Sequence, residues 1–146
     1  MPLSHVNALP LLEIALTALA STACASSSTP AQPRVMLVQD EEFVLTGTTD
    51  PSVRKTACTA GTPKHYLKVL EPTKAKITLR GTNGAAPLTG AVMTVTNVDS
   101  HATLCAAMRD DGSPAILPAE LDIGTYAIAV SGDQPPRRYE ILWEQR

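Results

Sequence analysis

This sequence of 146 residues has few aromatic side chains and no excess of positive charge. It contains one Trp, three Tyr and one Phe, and 12 basic side chains stand against 14 acidic ones. Nucleic-acid-binding proteins typically have an excess of basic residues, which this sequence lacks, so no nucleic-acid partner is expected. Charged residues make up 18% of the sequence and hydrophobic residues 44%. Disordered chains have more charge and fewer hydrophobic residues, so this class is excluded. The length favours one globular domain rather than two.

The sequence also lacks a hydrophobic run long enough to span a bilayer. Residues 8–20 form an apolar run of the length of a secretory signal core, shorter than the roughly 20 residues of a transmembrane helix. Small residues then lead into Cys24, and a Ser/Thr/Pro-rich stretch follows at 25–33. The alternative interpretation of this segment is a buried N-terminal helix with a core cysteine.

The segment around Cys24 resembles the bacterial lipoprotein signal, the lipobox. This resemblance implies that residues 1–23 are a signal peptide, that the chain is cut before Cys24, and that fatty acyl chains are attached there. Several acyl chains hold a protein at a membrane because each buried methylene contributes about 0.8 kcal/mol. Residues 24–33 would then be a lipidated tether, and residues 34–146 the folded domain. By analogy, the outer membrane of the cell envelope is the expected location.

If Cys24 carries lipid, Cys58 and Cys105 remain as an even pair. An exported compartment is oxidising enough to join them as a disulfide. The loop would be long enough for a stabilisation of about 4 kcal/mol in the chain-entropy model. The alternative is two separate buried thiols.

The mature chain lacks helical periodicity. Downstream of Arg34 no stretch of a dozen residues has apolar side chains at helical spacing, whereas short apolar runs separated by Gly, Pro and Asp recur. This pattern predicts an all-β domain, an antiparallel β-sandwich or jelly roll of about eight short strands. The candidate strands are 35–38, 42–46, 65–69, 74–80, 91–98, 103–108, 115–121, 124–131 and 138–143. The side chains expected to face the core are Leu67, Val69, Ala75, Ile77, Leu79, Tyr126, Ile128, Val130, Tyr139, Ile141 and Trp143.

Strands 65–69 and 74–80 are predicted to form a hairpin through the turn residues 70–73. Its outward face would carry one basic stripe with an aromatic, which makes it the candidate ligand-binding site. The members of this stripe are Tyr66, Lys68, Lys74, Lys76 and Arg80. Such a stripe attracts anionic polysaccharide, lipid headgroups or an acidic envelope protein. The alternative is a solvated face that prevents edge-to-edge association.

Four segments together resemble the bacterial pre-peptidase C-terminal domain. They are Tyr-Leu-Lys-Val at 66–69, residues 74–81, the Gly-Thr-Tyr-x-Ile-x-Val-x-Gly stretch at 124–132, and Tyr-x-Ile at 139–141. The resemblance covers about residues 40 to 145. It implies a β-sandwich that serves as an accessory module of a secreted peptidase, and members of this family include binders of calcium, collagen or polysaccharide.

Motifs for catalysis are missing. The sequence has no His-Glu-x-x-His, no Cys-x-x-Cys, no Gly-x-Ser-x-Gly and no phosphate-binding loop. No cofactor is therefore expected. Asp99, Asp110 and Asp111 lie between predicted strands, where carboxylates are suited to hold calcium, and ordinary turns explain the same residues equally.

The function that these features favour is a membrane-anchored exported lipoprotein, a non-enzymatic binding module of the cell envelope. One alternative is an accessory module of a secreted hydrolase, or an enzyme with a dispersed site that uses His65 or His101. Another is a structural envelope lipoprotein without a ligand.

Overall fold

The computed structural model describes residues 34–51, 58–59, 61–133 and 135–146. The predicted signal peptide at 1–23, Cys24 and the tether at 25–33 lie outside these residues and stay predictions. In the described part of the chain, no helix is long and apolar enough to cross a membrane.

Nine strands form the described part of the domain. Their bounds are β1 Val35–Leu37, β2 Glu42–Thr48, β3 His65–Val69, β4 Thr73–Gly81, β5 Val92–Asn97, β6 Thr103–Ala107, β7 Ala115–Leu121, β8 Gly124–Ser131 and β9 Arg138–Gln145. Each coincides with a strand predicted from the sequence to within two residues at its ends.

The strands form two sheets that pack as a sandwich. The five-stranded sheet has the order β1-β3-β8-β5-β6, and the four-stranded sheet has the order β2-β9-β4-β7. All described pairings are antiparallel except that of β1 with β3 and an isolated parallel bridge between Asp50 and Ser131. From β2 to β9 the chain passes between the sheets at every step except from β5 to β6, which is the connectivity of a jelly roll. The predicted fold class is confirmed.

The core lies between the sheets and is filled by alternate residues of each strand. In β9, Tyr139, Ile141 and Trp143 are at most 1% exposed, whereas the residues between them face outward. Phe43 of β2 stacks on Trp143 with ring centroids 5.3 Å apart. Every side chain predicted to face the core is buried, because strand alternation places every second residue on the same side of a sheet.

The predicted hairpin of β3 with β4 is wrong. β3 pairs with β8 and β1 in the five-stranded sheet, and β4 pairs with β7 and β9 in the four-stranded sheet. Residues 70–72 therefore cross from one sheet to the other, where Thr73 Oγ1 donates a hydrogen bond to the Glu71 carbonyl at 2.7 Å. The alternation of a strand specifies which face is buried and says nothing about its partner, so two amphipathic strands on opposite sides of one core have the pattern of a hairpin.

Tyr139 is held between two glycines in the four-stranded sheet. Its register partners are Gly47 of β2 and Gly81 of β4. A Cβ atom built on Gly47 would lie 2.6 Å from Cζ of the Tyr139 ring, so no side chain fits there unless the ring moves. The absence of a side chain at Gly47 thus allows a fully buried tyrosine at this position.

Candidate functional site

The residues of the predicted basic stripe occupy two different faces of the sandwich. Tyr66 and Lys68 lie on the outer face of the five-stranded sheet, because their neighbours Leu67 and Val69 face the core. The other three members, Lys74, Lys76 and Arg80, lie on the outer face of the four-stranded sheet. The prediction of one continuous stripe is therefore wrong, since the two strands that carry it belong to different sheets.

The three basic residues of β4 each contact a carboxylate on a neighbouring strand. Lys74 Nζ lies 3.0 Å from Glu120 Oε1, and Arg80 Nε donates to Glu140 Oε2 at 2.9 Å. Lys76 pairs with Glu144. These pairs offset most of the positive charge that the sequence of β4 suggests. The alternative of a face that prevents edge-to-edge association does not fit β4, because this strand lies inside its sheet.

The aspartates proposed for calcium do not come together. Asp99 lies in the turn between β5 and β6, whereas Asp110 and Asp111 follow β6 at its opposite end. A strand of five residues separates them, which is about 15 Å. Each loop closes on itself: the Asn97 carboxamide oxygen accepts the N–H groups of 99 and 100, and Asp111 Oδ1 accepts that of 113. The combination of these three carboxylates at one calcium ion is therefore wrong.

Asp111 nevertheless has a perturbed carboxyl group. Hydrogen bonds from the side chain and the backbone of Ser113 hold the pKa of Asp111 below its usual value. The described residues contain no group of three or more His, Cys, Asp or Glu side chains that could hold a metal ion.

His65 points into the sandwich and contacts Tyr139 across the two sheets. Its Nε2 atom lies 3.0 Å from the Tyr139 hydroxyl, and the two rings meet edge to face. Burial, followed by the charge of Lys64, lowers the pKa of His65. Burial raises the pKa of Tyr139 to about 12. This pair connects the two sheets.

His101 lies in a different part of the molecule. It is in the β5–β6 turn with a positive φ of 63°, and it lines an apolar groove of about 240 Å³ on the outer face of the five-stranded sheet. Tyr66 lines the same groove, whose floor is formed by small residues of β5 and β8. The two histidines thus face opposite sides of the sheet and do not share a site.

Cys58 and Cys105 are joined by a disulfide, with their Cα atoms 5.3 Å apart. Cys105 lies on the edge strand β6, and Cys58 belongs to the connection between β2 and β3, where its φ is 62°. The bond therefore attaches the β2–β3 connection to the edge of the five-stranded sheet. The pairing that the sequence left open is present in the structure.

Two arginines at the beginning of β9 form a cleft that the sequence analysis did not identify. Arg137 and Arg138 line a cavity of about 340 Å³ together with the 82–86 loop. A second cavity of the same volume adjoins it, lined by Thr46, Thr48 and again by Thr82 and Arg138. We name this feature the arginine cleft; the polar residues that define it are Thr46, Thr48, Thr82, Asn83, Arg137 and Arg138.

No protein-family model and no curated protein matches the chain. Among solved structures, the chain is similar to the pre-peptidase C-terminal domain of a collagenase from Bacillus anthracis, with a TM-score of 0.49 and 11% sequence identity. The similarity covers 78% of this chain and 99% of that one.

The arginine cleft was missed because its parts are far apart in sequence. Thr46 and Thr48 belong to β2, Thr82 follows β4, and the arginines begin β9. The one local signal is the run Pro135-Pro136-Arg137-Arg138, which combines a rigid backbone with two adjacent guanidinium groups.

Proposed function

We propose that this chain is an exported, lipid-anchored binding module of the cell envelope that carries out no chemistry of its own. In this proposal Cys24 is acylated, residues 25–33 are a tether, and the β-sandwich presents its surface to a partner. The proposal retains the function expected from the sequence but not the basic stripe as its binding site.

The observation that carries the proposal is the disulfide between Cys58 and Cys105. Its Cα separation of 5.3 Å lies within the usual range of about 4.4–6.8 Å for disulfides. Disulfides persist in oxidising compartments outside the cytoplasm, which is where a lipoprotein signal directs a chain. The sequence contains three cysteines, so this pairing leaves Cys24 for acylation.

The placement of the candidate catalytic groups also supports a binding role. The Nε2 atom of His65 is engaged by the Tyr139 hydroxyl inside the sandwich, and His101 lies on the outer face of a sheet. A general base must reach the proton it abstracts, directly or through one water molecule, together with a nucleophile or an electrostatic partner. Neither histidine has such a set of partners among the described residues, and this favours binding over catalysis.

Intact-mass measurement of the protein from native membranes, with and without reduction, tests the proposal. We expect cleavage before Cys24, added acyl chains, and a gain of two hydrogens on reduction. The Cys24→Ala variant is the matched control, because it keeps the disulfide but loses the acylation site. In detergent phase partitioning, this variant should move from the detergent-rich phase to the aqueous phase.

Each part of the measurement has an outcome that contradicts the proposal. A chain that retains residues 1–23 and gains no acyl mass contradicts the anchor. A chain whose mass does not change on reduction contradicts the exported, oxidised state.

A further inference from the structure

The arginine cleft carries positive charge that the described part of the protein does not neutralise. Neither Arg137 nor Arg138 has a carboxylate partner among the described residues, and no acidic side chain lines either cavity. The adjacent Arg80, by contrast, is bonded to Glu140 at 2.9 Å. On the outer face of the four-stranded sheet, the positive charge without a carboxylate partner among these residues is therefore at the beginning of β9.

The backbone that carries the arginines is fixed before any ligand arrives. The Arg137 N–H donates to Thr49 Oγ1 at 2.9 Å, and the Thr49 N–H donates to the Arg137 carbonyl at 2.9 Å. Thr49 is itself 3% exposed and packs against Gly132. Pro135 and Pro136 restrict the chain just before Arg137. Pre-organisation of this kind lowers the entropic cost of binding.

The lining of the cleft favours a ligand rich in hydroxyl groups. Thr46, Thr48 and Thr82 provide hydroxyls, and Asn83 provides a carboxamide, beside the two guanidinium groups. Guanidinium groups bind carboxylates through paired hydrogen bonds, and hydroxyls and amides exchange hydrogen bonds with sugar hydroxyls. Among the described residues that line the cleft, the one aromatic ring is that of Tyr139, which is fully buried, so an apolar peptide anchor has no exposed aromatic partner there.

The arginine cleft extends along the surface as two adjoining cavities. Its two cavities, each of about 340 Å³, share Thr82 and Arg138 and so follow one another along the surface. Each lies at the lower end of the range of small-molecule sites, about 300–1,000 Å³. A cleft extended in this way has room for more than one unit of a polymer.

We infer that the arginine cleft binds an acidic polysaccharide, with Arg137 and Arg138 holding the carboxylates of uronic-acid units. The inference deepens the proposed function and rests on it, since it gives the envelope module its partner. Thr46, Thr48 and Thr82 hydrogen-bond the hydroxyls of the same sugars. The ion-paired basic residues of β4 contribute little, because their charge is already compensated by carboxylates.

Calorimetric titration of the full chain, purified in detergent, with polygalacturonate tests this inference. The methyl ester of the same polymer is the uncharged comparison and should bind far more weakly. We expect Arg137→Gln and Arg138→Gln each to weaken binding about tenfold, which is the loss of one charge-assisted hydrogen-bonded contact. Arg138→Lys keeps the charge but loses the planar guanidinium group, so its affinity should lie between those of the unaltered protein and Arg138→Gln. Added salt should weaken the binding of polygalacturonate to the unaltered protein, because it screens the charges.

Arg146→Gln is the matched control for these variants. Arg146 lies just beyond the far end of β9, about 25 Å from Arg138, and its replacement removes the same charge from the protein. It should leave the affinity unchanged. Thermal unfolding of every variant distinguishes lost binding from lost folding.

Four results would overturn the inference: no binding of polygalacturonate, equal binding of its methyl ester, an equal loss in Arg146→Gln, or a preference for polyglutamate or phosphatidylglycerol vesicles. The mass measurement tests the anchor without reference to the cleft, and this titration tests the cleft whether or not Cys24 is acylated. The failure of either is therefore distinguishable from the failure of the other.

Discussion

Replacing Gly47 with Ala should destabilise the domain by forcing a methyl group into the Tyr139 ring. The added Cβ would lie 2.6 Å from Tyr139 Cζ, well inside van der Waals contact. The ring cannot retreat easily, because Tyr139 is fully buried and its hydroxyl lies 3.0 Å from His65 Nε2. Overpacking of this kind typically costs about 1–3 kcal/mol, and a lost hydrogen bond adds about 1 kcal/mol. We therefore expect a loss of about 2–4 kcal/mol in the free energy of unfolding.

A second variant isolates the cause. In a Tyr139→Leu background the ring is gone, and Gly47→Ala should then be neutral or stabilising by about 0.5–1 kcal/mol, because alanine is favoured over glycine inside a strand. The coupling between the two positions in the double-mutant cycle should thus exceed about 2 kcal/mol. Urea unfolding monitored through the fluorescence of Trp143, the only tryptophan and 1% exposed, measures all four free energies.

Gly81→Ala provides the matched control, since Gly81 is the other register partner of Tyr139. Its added Cβ would meet Leu88 Cβ at 3.2 Å rather than the tyrosine ring, so a small shift of Leu88 relieves it. A Gly47→Ala loss that is the same in both backgrounds, or no larger than the Gly81→Ala loss, would show that the reasoning is wrong.

Three further predictions concern the disulfide and the two titrating groups of the core. Replacing Cys58 and Cys105 with Ala should lower the free energy of unfolding by about 4 kcal/mol, for a separation of 47 residues; a change below about 1 kcal/mol in urea unfolding would contradict this. Because burial and Lys64 lower the pKa of His65, stability should be full above pH 6.5 and fall as the pH drops below it, and His65→Gln should flatten this part of the profile. Because burial raises the pKa of Tyr139 to about 12, stability should fall as the pH rises from 10 to 12, a loss that should be absent in Tyr139→Phe. Unfolding free energies measured across pH check both.

The strands were predictable from the sequence because their signal is local. In β8 the alternation of Tyr126, Ile128 and Val130 with smaller residues identifies both the strand and its buried face. The same holds for Leu67 in β3 and Ile77 in β4. Burial on one side of a sheet selects the residue type at every second position, so a single strand carries its own evidence.

The pairing of strands and the site were not predictable, since both depend on contacts that are distant in sequence. Arg80 and Glu140 form an ion pair although 60 residues separate them. Counting the basic residues of β3 and β4 therefore gave a charged stripe, and the fold pairs its three members on β4 with carboxylates. Thr49 and Arg137 are 88 residues apart, and their hydrogen bond is what fixes the arginine cleft. The sequence around Thr49 does not indicate contact with Arg137, and the sequence around Arg137 does not indicate contact with Thr49.

The order of strands in the sheets has a consequence for how the chain folds. Among the described strands, the single pair of sheet neighbours that is also consecutive in the chain is β5 with β6. The last two strands, β8 and β9, lie inside the two sheets, between β3 and β5 and between β2 and β4. Long loops must close before most pairs form, so folding is expected to be slow and to wait for the C-terminal strands.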